Sequence, residues 1–270
     1  VVNARMRTRS LSRYLLARGL FAALSPSDVL AVSEADARRF QTLFPEAQTS
    51  VMHNMKFDRL TVGDPVPYTK NPLASLFRPT TPLLVMGSMR EPEKHHTARI
   101  IQRVRAERPN TVIAVFPRHV HHLDSFAAAF QEHGVSFILR SQAEQPVPFG
   151  TTLLWDGFGE LGLAYWLANA AFVGGSLAPL GGQNFLEPLA CGVVPVMGPH
   201  WFNFAWVGRD ILEQGLALQA AGPDQAADML VVQMGRSASW EQVREQAFAY
   251  VDARRGGTRT ACERISELLA

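Results

Sequence analysis

The stretch VGGSLAPLGGQNFLEPLACGVVPVMGPHWFNF, residues 173–204, sets glycine pairs, an Asn and a Glu-Pro in an otherwise apolar frame. The runs AAFVGG (170–175) and VVPVMG (193–198) predict buried strands, because each is short, apolar and ended by glycine. The segment between them, residues 184–191, predicts a helix. A strand, a helix and a second strand in this order form a parallel crossover unit. The stretch therefore predicts an α/β fold with a parallel sheet.

The same alternation of short apolar runs and helical-period segments continues along most of the chain. It is typical of parallel strands joined by crossover helices. The other predicted strands cover residues 28–33, 49–54, 83–88, 111–116, 136–140 and 151–155. Beyond Phe204 the pattern predicts mostly helices, including residues 240–254 and 258–269.

The composition is that of an ordinary globular protein. The chain has 270 residues, 47% of them hydrophobic, which is enough to bury the core of one large α/β domain or two smaller ones. Its 26 basic and 24 acidic side chains nearly balance, so we expect no nucleic acid partner. Cys191 and Cys262 show no metal-ligand spacing, which favours a reducing compartment. The sequence contains neither a secretory signal nor an apolar run long enough to span a membrane.

The first eighteen residues are strongly basic, with no acid and five arginines, namely Arg5, Arg7, Arg9, Arg13 and Arg18. Apolar residues such as Leu15, Leu20 and Phe21 lie among and after them. This segment could hold acidic lipid headgroups or a phosphorylated substrate, although a solvated helix face would give the same pattern. The chain also begins without Met, so we expect its natural start to lie upstream.

Residues 173–204 also form a candidate nucleotide site. The glycine pair at 174–175 follows a strand, where the backbone must approach another group closely or adopt positive φ. The pair at 181–182 precedes the predicted helix, whose free N–H groups and positive dipole end suit a phosphate. Glu187 lies one turn after Asn184 and could accept the two hydroxyls of a ribose. Tight strand-to-helix packing, with Asn184 as a helix cap, is the alternative.

Three further strand ends carry polar residues. Arg118 and His119 follow a strand in FPRHVHH (116–122) and could bind a phosphate at the carboxyl edge of the sheet, where open α/β folds bind ligands. The loop MGSMREPEKHH (86–96) and the turn at 157–160 repeat this placement, although a well-capped helix equally explains the first of them. We expect no metal at the histidine-rich turn, because neighbours on a turn rarely converge on one ion.

Together these motifs resemble the 3-deoxy-D-manno-octulosonic acid (Kdo) transferase family. The resemblance rests on residues 173–204 with PRH (117–119), GELGLAY (159–165), NMKFD (54–58) and NAR (3–5). It implies the two-domain GT-B glycosyltransferase fold, in which the C-terminal domain holds the donor and the N-terminal domain holds the acceptor.

The resemblance also implies a domain organisation. Residues 1–57 would end an N-terminal Rossmann-like acceptor domain that is only partly present, and 58–82 would be a linker. Residues 83–256 would form a complete Rossmann-like donor domain, and 257–270 a C-terminal helix. Five prolines and no clear period in 58–82 favour the linker. The general base that deprotonates the acceptor hydroxyl is expected upstream of residue 1.

The activity implied is transfer of Kdo from CMP-Kdo to a lipid A precursor in lipopolysaccharide synthesis, inverting and without a metal or other cofactor. The resemblance also implies that the protein is located at the cytoplasmic face of the inner membrane, either bound peripherally or anchored by a segment outside this chain. Another GT-B enzyme with a different nucleotide sugar and a catalytically silent nucleotide-binding fragment are the alternatives.

Motifs and resemblance together predict twelve donor-site residues, which are Lys56, Ser88, Arg118, His119, Gly159, Glu160, Gly174, Gly175, Ser176, Gly182, Asn184 and Glu187. Lys56 would bind the donor carboxylate or phosphate through its positive charge. An ordinary solvent-exposed lysine at a strand end is the alternative. The family loop Ser-Thr-His-x-Gly-Glu-Glu corresponds to SMREPEK. Ser88 and Glu93 match it, whereas Arg90 replaces the His and Pro92 replaces the Gly, which affects the contacts expected of that loop.

Overall fold

The computed structural model describes residues 1–60, 66–235 and 239–270. It divides into two units, Val1–Thr61 with Ala249–Ala270, and Val62–Phe248. Residues 61–65 of the predicted linker lie outside the described residues. Among the described residues, none of the helices is both long and apolar enough to cross a bilayer.

The first unit is built on two parallel strands, β1 (Asp28–Ala31) and β2 (Gln48–Val51). Helix α3 (Glu34–Leu43) connects them, after two shorter helices, α1 (Thr8–Leu16) and α2 (Arg18–Ala23). Ser33 starts α3, because its Oγ accepts the Asp36 N–H at 3.1 Å. Apolar residues of α1 and α2 pack on a cluster formed mainly by α3, including Phe40, Leu43 and Phe44.

The C-terminal helix α11 (Gly257–Leu269) belongs to this first unit. Ala261 packs with Leu30 and Met52. Arg264 Nε donates to Asp28 Oδ1 at 2.7 Å, across 236 residues of sequence. The predicted helix over 258–269 is thus confirmed, and its partners are the strands at the start of the chain.

The second unit contains a parallel sheet of seven strands, and its order is β5-β6-β4-β3-β7-β8-β9. The strands are β3 (Leu83–Met89), β4 (Val112–Pro117), β5 (Ile138–Leu139), β6 (Thr152–Leu154), β7 (Ala170–Val173), β8 (Pro195–Met197) and β9 (Leu218–Gln219). The α/β prediction is confirmed, and each predicted strand is present, most of them with shorter bounds, whereas β3 is one residue longer and β4 is shifted by one residue. The two-residue strand β9 was not predicted, because so short a strand has no period of its own.

Helices cover both faces of this sheet, as the two buried clusters of the second unit show. They are α4 (Lys94–Glu107), α5 (Leu123–Glu132), α6 (Leu161–Tyr165), α7 (Leu186–Ala190), α8 (Asp210–Glu213), α9 (Pro223–Met234) and α10 (Trp240–Asp252), whose end lies in the first unit. One cluster joins the sheet to α4, α5 and α9 through residues such as Ile101, Phe126 and Leu230. The other includes Tyr165 of α6 and residues from the predicted linker, namely Leu73, Leu76 and Phe77.

The strand order creates a switch point between β3 and β7. The chain leaves β3 towards β4 on one side and leaves β7 towards β8 on the other. The connections therefore diverge and leave a crevice outside the carboxyl ends of these two strands, which is where open α/β sheets bind ligands.

Candidate functional site

The end of β3 and the loop that follows it form the first wall of this crevice. Ser88 adopts φ +53°, in the left-handed region that residues with a Cβ seldom occupy. The pairing of β3 with β4 shifts register between Met86 and Met89, at the same point. Such backbone strain persists only where the surroundings enforce it, and it is common at ligand sites. Ser88, a predicted donor residue, therefore lies at the switch point in an enforced conformation.

The loop that follows β7 touches this first wall directly. A Cβ on Gly174 would lie 2.6 Å from the Ser88 carbonyl oxygen and 2.7 Å from the Met89 Cα. The Gly174 N–H donates to the Gly87 carbonyl at 2.9 Å. Gly174 is thus required for the close backbone approach that the sequence predicted, although the approaching group is the chain itself.

A buried carboxylate, Glu93, holds the two loops together. Its side chain is fully buried, and its oxygens accept N–H groups from Gly175 at 2.6 Å, Ser176 at 2.8 Å and Leu177 at 2.8 Å. Oε2 also accepts the Arg90 N–H at 3.1 Å. The amides of Gly175 and Ser176 are therefore occupied by Glu93, so a donor role of these two residues would not use their N–H groups. The sequence placed Glu93 in a helix's first turn and could not reveal partners more than eighty residues away.

Ser176 is likewise a support within the loop. Its Oγ donates to the Val173 carbonyl at 2.7 Å and accepts the Gly198 N–H at 2.8 Å, while its carbonyl accepts the His200 N–H at 2.9 Å. The side chain is buried and its hydroxyl has partners within the protein, so the donor-site role of Ser176 stays a prediction. It ties the end of β7 to the loop after β8.

Gly182 closes the same loop and adopts φ +81°, so it needs the freedom of glycine. Its N–H donates to the Gly175 carbonyl at 2.6 Å, and the Gln183 N–H donates to the Gly174 carbonyl at 3.0 Å. The two glycine pairs of the sequence therefore meet as the base of one closed loop.

Asn184 and Glu187 form a polar pair beyond this loop. Asn184 Nδ2 donates to Glu187 Oε1 at 2.9 Å, and Asn184 Oδ1 accepts the Leu186 N–H at 3.3 Å. Helix α7 begins at Leu186, two residues later than predicted, and has only one and a half turns. The Glu187 side chain is exposed, so a carboxylate stays accessible beside the crevice.

Two arginines and a histidine cluster at the ends of β3 and β4. The Arg118 N–H donates to the Met89 carbonyl at 2.7 Å, which brings Arg118 and His119 beside the loop that contains Arg90. Burial, then the charges of Arg90, His121, Arg118 and His122, lower the pKa of His119. Within residues 1–60, 66–235 and 239–270, neither arginine side chain forms an ion pair. Unpaired cations at the carboxyl edge favour an anionic ligand.

The turn at Gly159 and Glu160 follows β6, at the same edge. Glu160 Oε2 accepts the Trp155 Nε1–H at 2.9 Å, and Glu160 Oε1 lies 3.5 Å from Arg140 Nη2. The Glu160 carboxylate, which the sequence predicts to bind a ligand, thus already interacts with side chains of its own unit. Gly159 adopts φ +84° and is exposed, so its backbone remains accessible.

Lys56 lies in the first unit, whereas the other predicted donor residues lie in the second. It is exposed, and its backbone N–H donates to Asn54 Oδ1 at 3.0 Å. Its role at the donor stays a prediction from the NMKFD motif.

Comparison with solved structures defines the class of protein. A glycosyltransferase from Rickettsia africae covers 98% of this chain with a TM-score of 0.59 at 11% identity. Anabaena Alr3699/HepE, solved with UDP and glucose, covers 96% with a TM-score of 0.55 at 15% identity. At these identities the likeness concerns the fold alone. The parallel sheet with its switch-point crevice and these neighbours define a GT-B glycosyltransferase fold.

The sequence relatives show which family the chain resembles. The family model for 3-deoxy-D-manno-octulosonic-acid transferase matches residues 1–59. The 3-deoxy-D-manno-octulosonic acid transferase of Bordetella pertussis is 33% identical over the whole of this chain, and that of Haemophilus influenzae is 28% identical. The C-terminal CMP-Kdo binding domain of WaaA from Acinetobacter baumannii is 28% identical, with a TM-score of 0.57 over 63% of this chain and 89% of that domain.

The resemblance to the Kdo transferase family is therefore confirmed. The chain spans 63% of the length of the Bordetella and Haemophilus relatives.

Proposed function

We propose that this chain is part of a Kdo transferase that binds CMP-Kdo at the switch-point crevice of its second unit. The observation that carries the proposal is the cluster of Arg90, Arg118 and His119 at the ends of β3 and β4, where neither arginine has an ion-pair partner among the described residues. The donor is a dianion at neutral pH, because it carries one phosphodiester and one sugar carboxylate. The relatives and the CMP-Kdo binding domain described above support this choice of nucleotide and sugar.

In the proposed complex each group has one task. The guanidinium of Arg118 binds the phosphate as a two-donor fork, and the exposed Glu187 carboxylate accepts the ribose hydroxyls. The closed loop held by Glu93 fixes the crevice wall, since its amides are already satisfied. Asn184 orients Glu187 through their hydrogen bond of 2.9 Å.

The proposed reaction is an inverting displacement. The acceptor hydroxyl oxygen, on a lipid A precursor, forms a bond to the anomeric carbon of Kdo while the bond from that carbon to the phosphate oxygen of CMP breaks. The hydroxyl proton passes to a base, which we expect outside this chain. Negative charge grows on the departing CMP phosphate, and Arg118 with its cationic neighbours stabilises it more in the transition state than in the ground state. We propose that no catalytic metal takes part.

The donor proposal is tested by calorimetric titration of the full chain with CMP. Arg118→Ala and Glu187→Ala should each weaken CMP binding by about tenfold or more, in line with the loss of a charge-assisted hydrogen bond. Arg38→Ala is the matched control, because Arg38 is an exposed arginine on α3 of the first unit. Unchanged affinity in both site variants would refute the site. A screen of CMP-, UDP- and GDP-sugars that preferred another base would refute the donor.

We further propose that the first unit contacts the cytoplasmic surface of the inner membrane through α1 and α2. These helices expose Leu16 by 90% and Leu20 by 65%, and Leu24, directly after α2, is 67% exposed; five arginines lie within residues 5–18. Exposed leucines next to cations suit the boundary between acyl chains and anionic headgroups.

Vesicle sedimentation tests this surface with phosphatidylcholine vesicles that contain or lack phosphatidylglycerol. Binding should need the anionic lipid and decrease with salt. Leu16→Ser with Leu20→Ser should abolish it, whereas Leu269→Ser should leave it unchanged, since Leu269 is 83% exposed at the other end of the chain. Equal loss in the control would show that α1 and α2 are not the contact.

A further inference from the structure

Two histidines and a glutamate from different helices converge on the outer side of the second unit. His95 lies in the first turn of α4, and Glu132 and His133 lie at the end of α5. Their ligand atoms all lie within 4.8 Å of one another. None of the three is among the predicted donor residues, and none belongs to the histidine-rich turn at 119–122.

The spacing of the two imidazoles matches metal coordination. His95 Nδ1 and His133 Nε2 are 3.2 Å apart. Two nitrogen ligands at 2.0 to 2.1 Å from a tetrahedral zinc ion are separated by about 3.3 Å, so the distance between these two atoms matches that of two ligands on one ion. The rings are tilted by 56° with centroids 5.4 Å apart, so the contact is not a stacked pair.

Glu132 supplies an oxygen of the right kind. Its Oε2 lies 3.9 Å from His95 Nδ1, and its side chain is 68% exposed, so a small rotation brings the carboxylate into the coordination sphere. Two imidazole nitrogens and one carboxylate oxygen form a ligand set that zinc prefers, with a fourth position left for water.

The surroundings favour a cation at this point. The C-terminus of α5 places its negative dipole end beside His133. Gln102 Nε2 donates to the His133 carbonyl at 2.6 Å and so holds this residue against α4. The nearest cations on α4 are neutralised: Lys94 pairs with Glu91 at 2.6 Å and Arg99 with Asp224 at 2.7 Å.

We propose that His95, Glu132 and His133 bind one zinc ion, which cross-links α4 to α5. The ion is structural, since it joins two helices and none of its ligands is among the predicted donor residues. A plain hydrogen bond between the two neutral imidazoles is the competing explanation of their short distance, and it predicts no affinity for metal.

The test is calorimetric titration of the metal-free full chain with zinc chloride. The wild type should bind one zinc per chain, with a rise in the melting temperature that a chelator reverses. His95→Ala and His133→Ala should each weaken this binding by at least about tenfold, and Glu132→Gln by less, because the carboxylate is the most mobile ligand.

Two histidine variants are the controls. His96→Ala changes the neighbour of His95 on α4, and His121→Ala changes the histidine-rich turn; both should bind zinc as the wild type does. All variants are on the surface, and circular dichroism checks that each folds. Absence of saturable zinc binding in the wild type overturns the proposal, as does retention of full affinity in His95→Ala or its loss in His121→Ala instead.

Discussion

Replacing Glu93 by Gln should unfold the crevice wall of the second unit. The wild-type carboxylate accepts four backbone N–H groups, two on each oxygen. An amide keeps one acceptor oxygen and turns an NH₂ group towards the other two donors, so one pair of N–H groups loses its partner in a fully buried place. Each unsatisfied buried donor costs about 1 to 3 kcal/mol, and the remaining two hydrogen bonds lose their charge assistance.

The expected loss in the free energy of unfolding is therefore about 3 to 5 kcal/mol. For a unit of this size the melting temperature falls by about 2 to 4 °C per kcal/mol, so a decrease of about 6 to 20 °C is expected. Near-ultraviolet circular dichroism follows the melting, and hydrogen exchange measures the amides of residues 175–177, which should exchange faster.

Glu91→Gln is the matched control, since Glu91 lies on the same loop and pairs with Lys94 and Ser125 at a half-buried position. It should cost no more than about 1 kcal/mol, as partly exposed pairs do. If Glu93→Gln melted within about 2 °C of the wild type and left the exchange of residues 175–177 unchanged, the assigned role of Glu93 would be wrong.

Three further predictions follow from the structure. Gly174→Ala should destabilise the second unit by about 1 to 3 kcal/mol, because the added Cβ would lie 2.6 and 2.7 Å from backbone atoms of the neighbouring loop. Gly162→Ala is the control and should not destabilise it, because a Cβ there has nothing within 4 Å. Urea-induced unfolding compares the two variants. Burial acts to raise the pKa of Asp58, but hydrogen bonds from the start of α11 outweigh it, so the pKa lies below its usual value. The stability that Asp58 adds is therefore present above about pH 4 and is lost as the pH falls through the pKa of the folded state. Asp58→Asn should lack that acid-dependent component in melts of the first unit from pH 6 to pH 3, and an unchanged pH profile would contradict the assignment. Burial raises the pKa of Cys191 to about 12, so a thiol reagent at pH 8 should modify the exposed Cys262 of the native chain and leave Cys191 unmodified until denaturant is added.

Much of the candidate site could be predicted from the sequence, because its signals are local. Gly174 was predicted to allow a close backbone approach, and Arg118 and His119 were predicted at the carboxyl end of a strand; both placements are as the sequence indicated. The partners of the polar atoms were not predictable. The amides of Gly175 and Ser176 are occupied by Glu93, and Glu160 lies beside Arg140. Both contacts join separate strand ends that only the folded sheet brings together.

The sequence by itself determined the α/β class and the position of nearly every strand and helix, because hydrophobic period, glycine and proline act within a few residues. It also carried the family resemblance, because motifs such as GGQNFLEP are contiguous. The tertiary structure alone decided the strand order, and with it the switch point between β3 and β7. It likewise decided that Asp28 pairs with Arg264 and that Glu93 supports a loop far along the chain, since such pairings depend on the energy of the whole packed fold and leave no mark in any short segment.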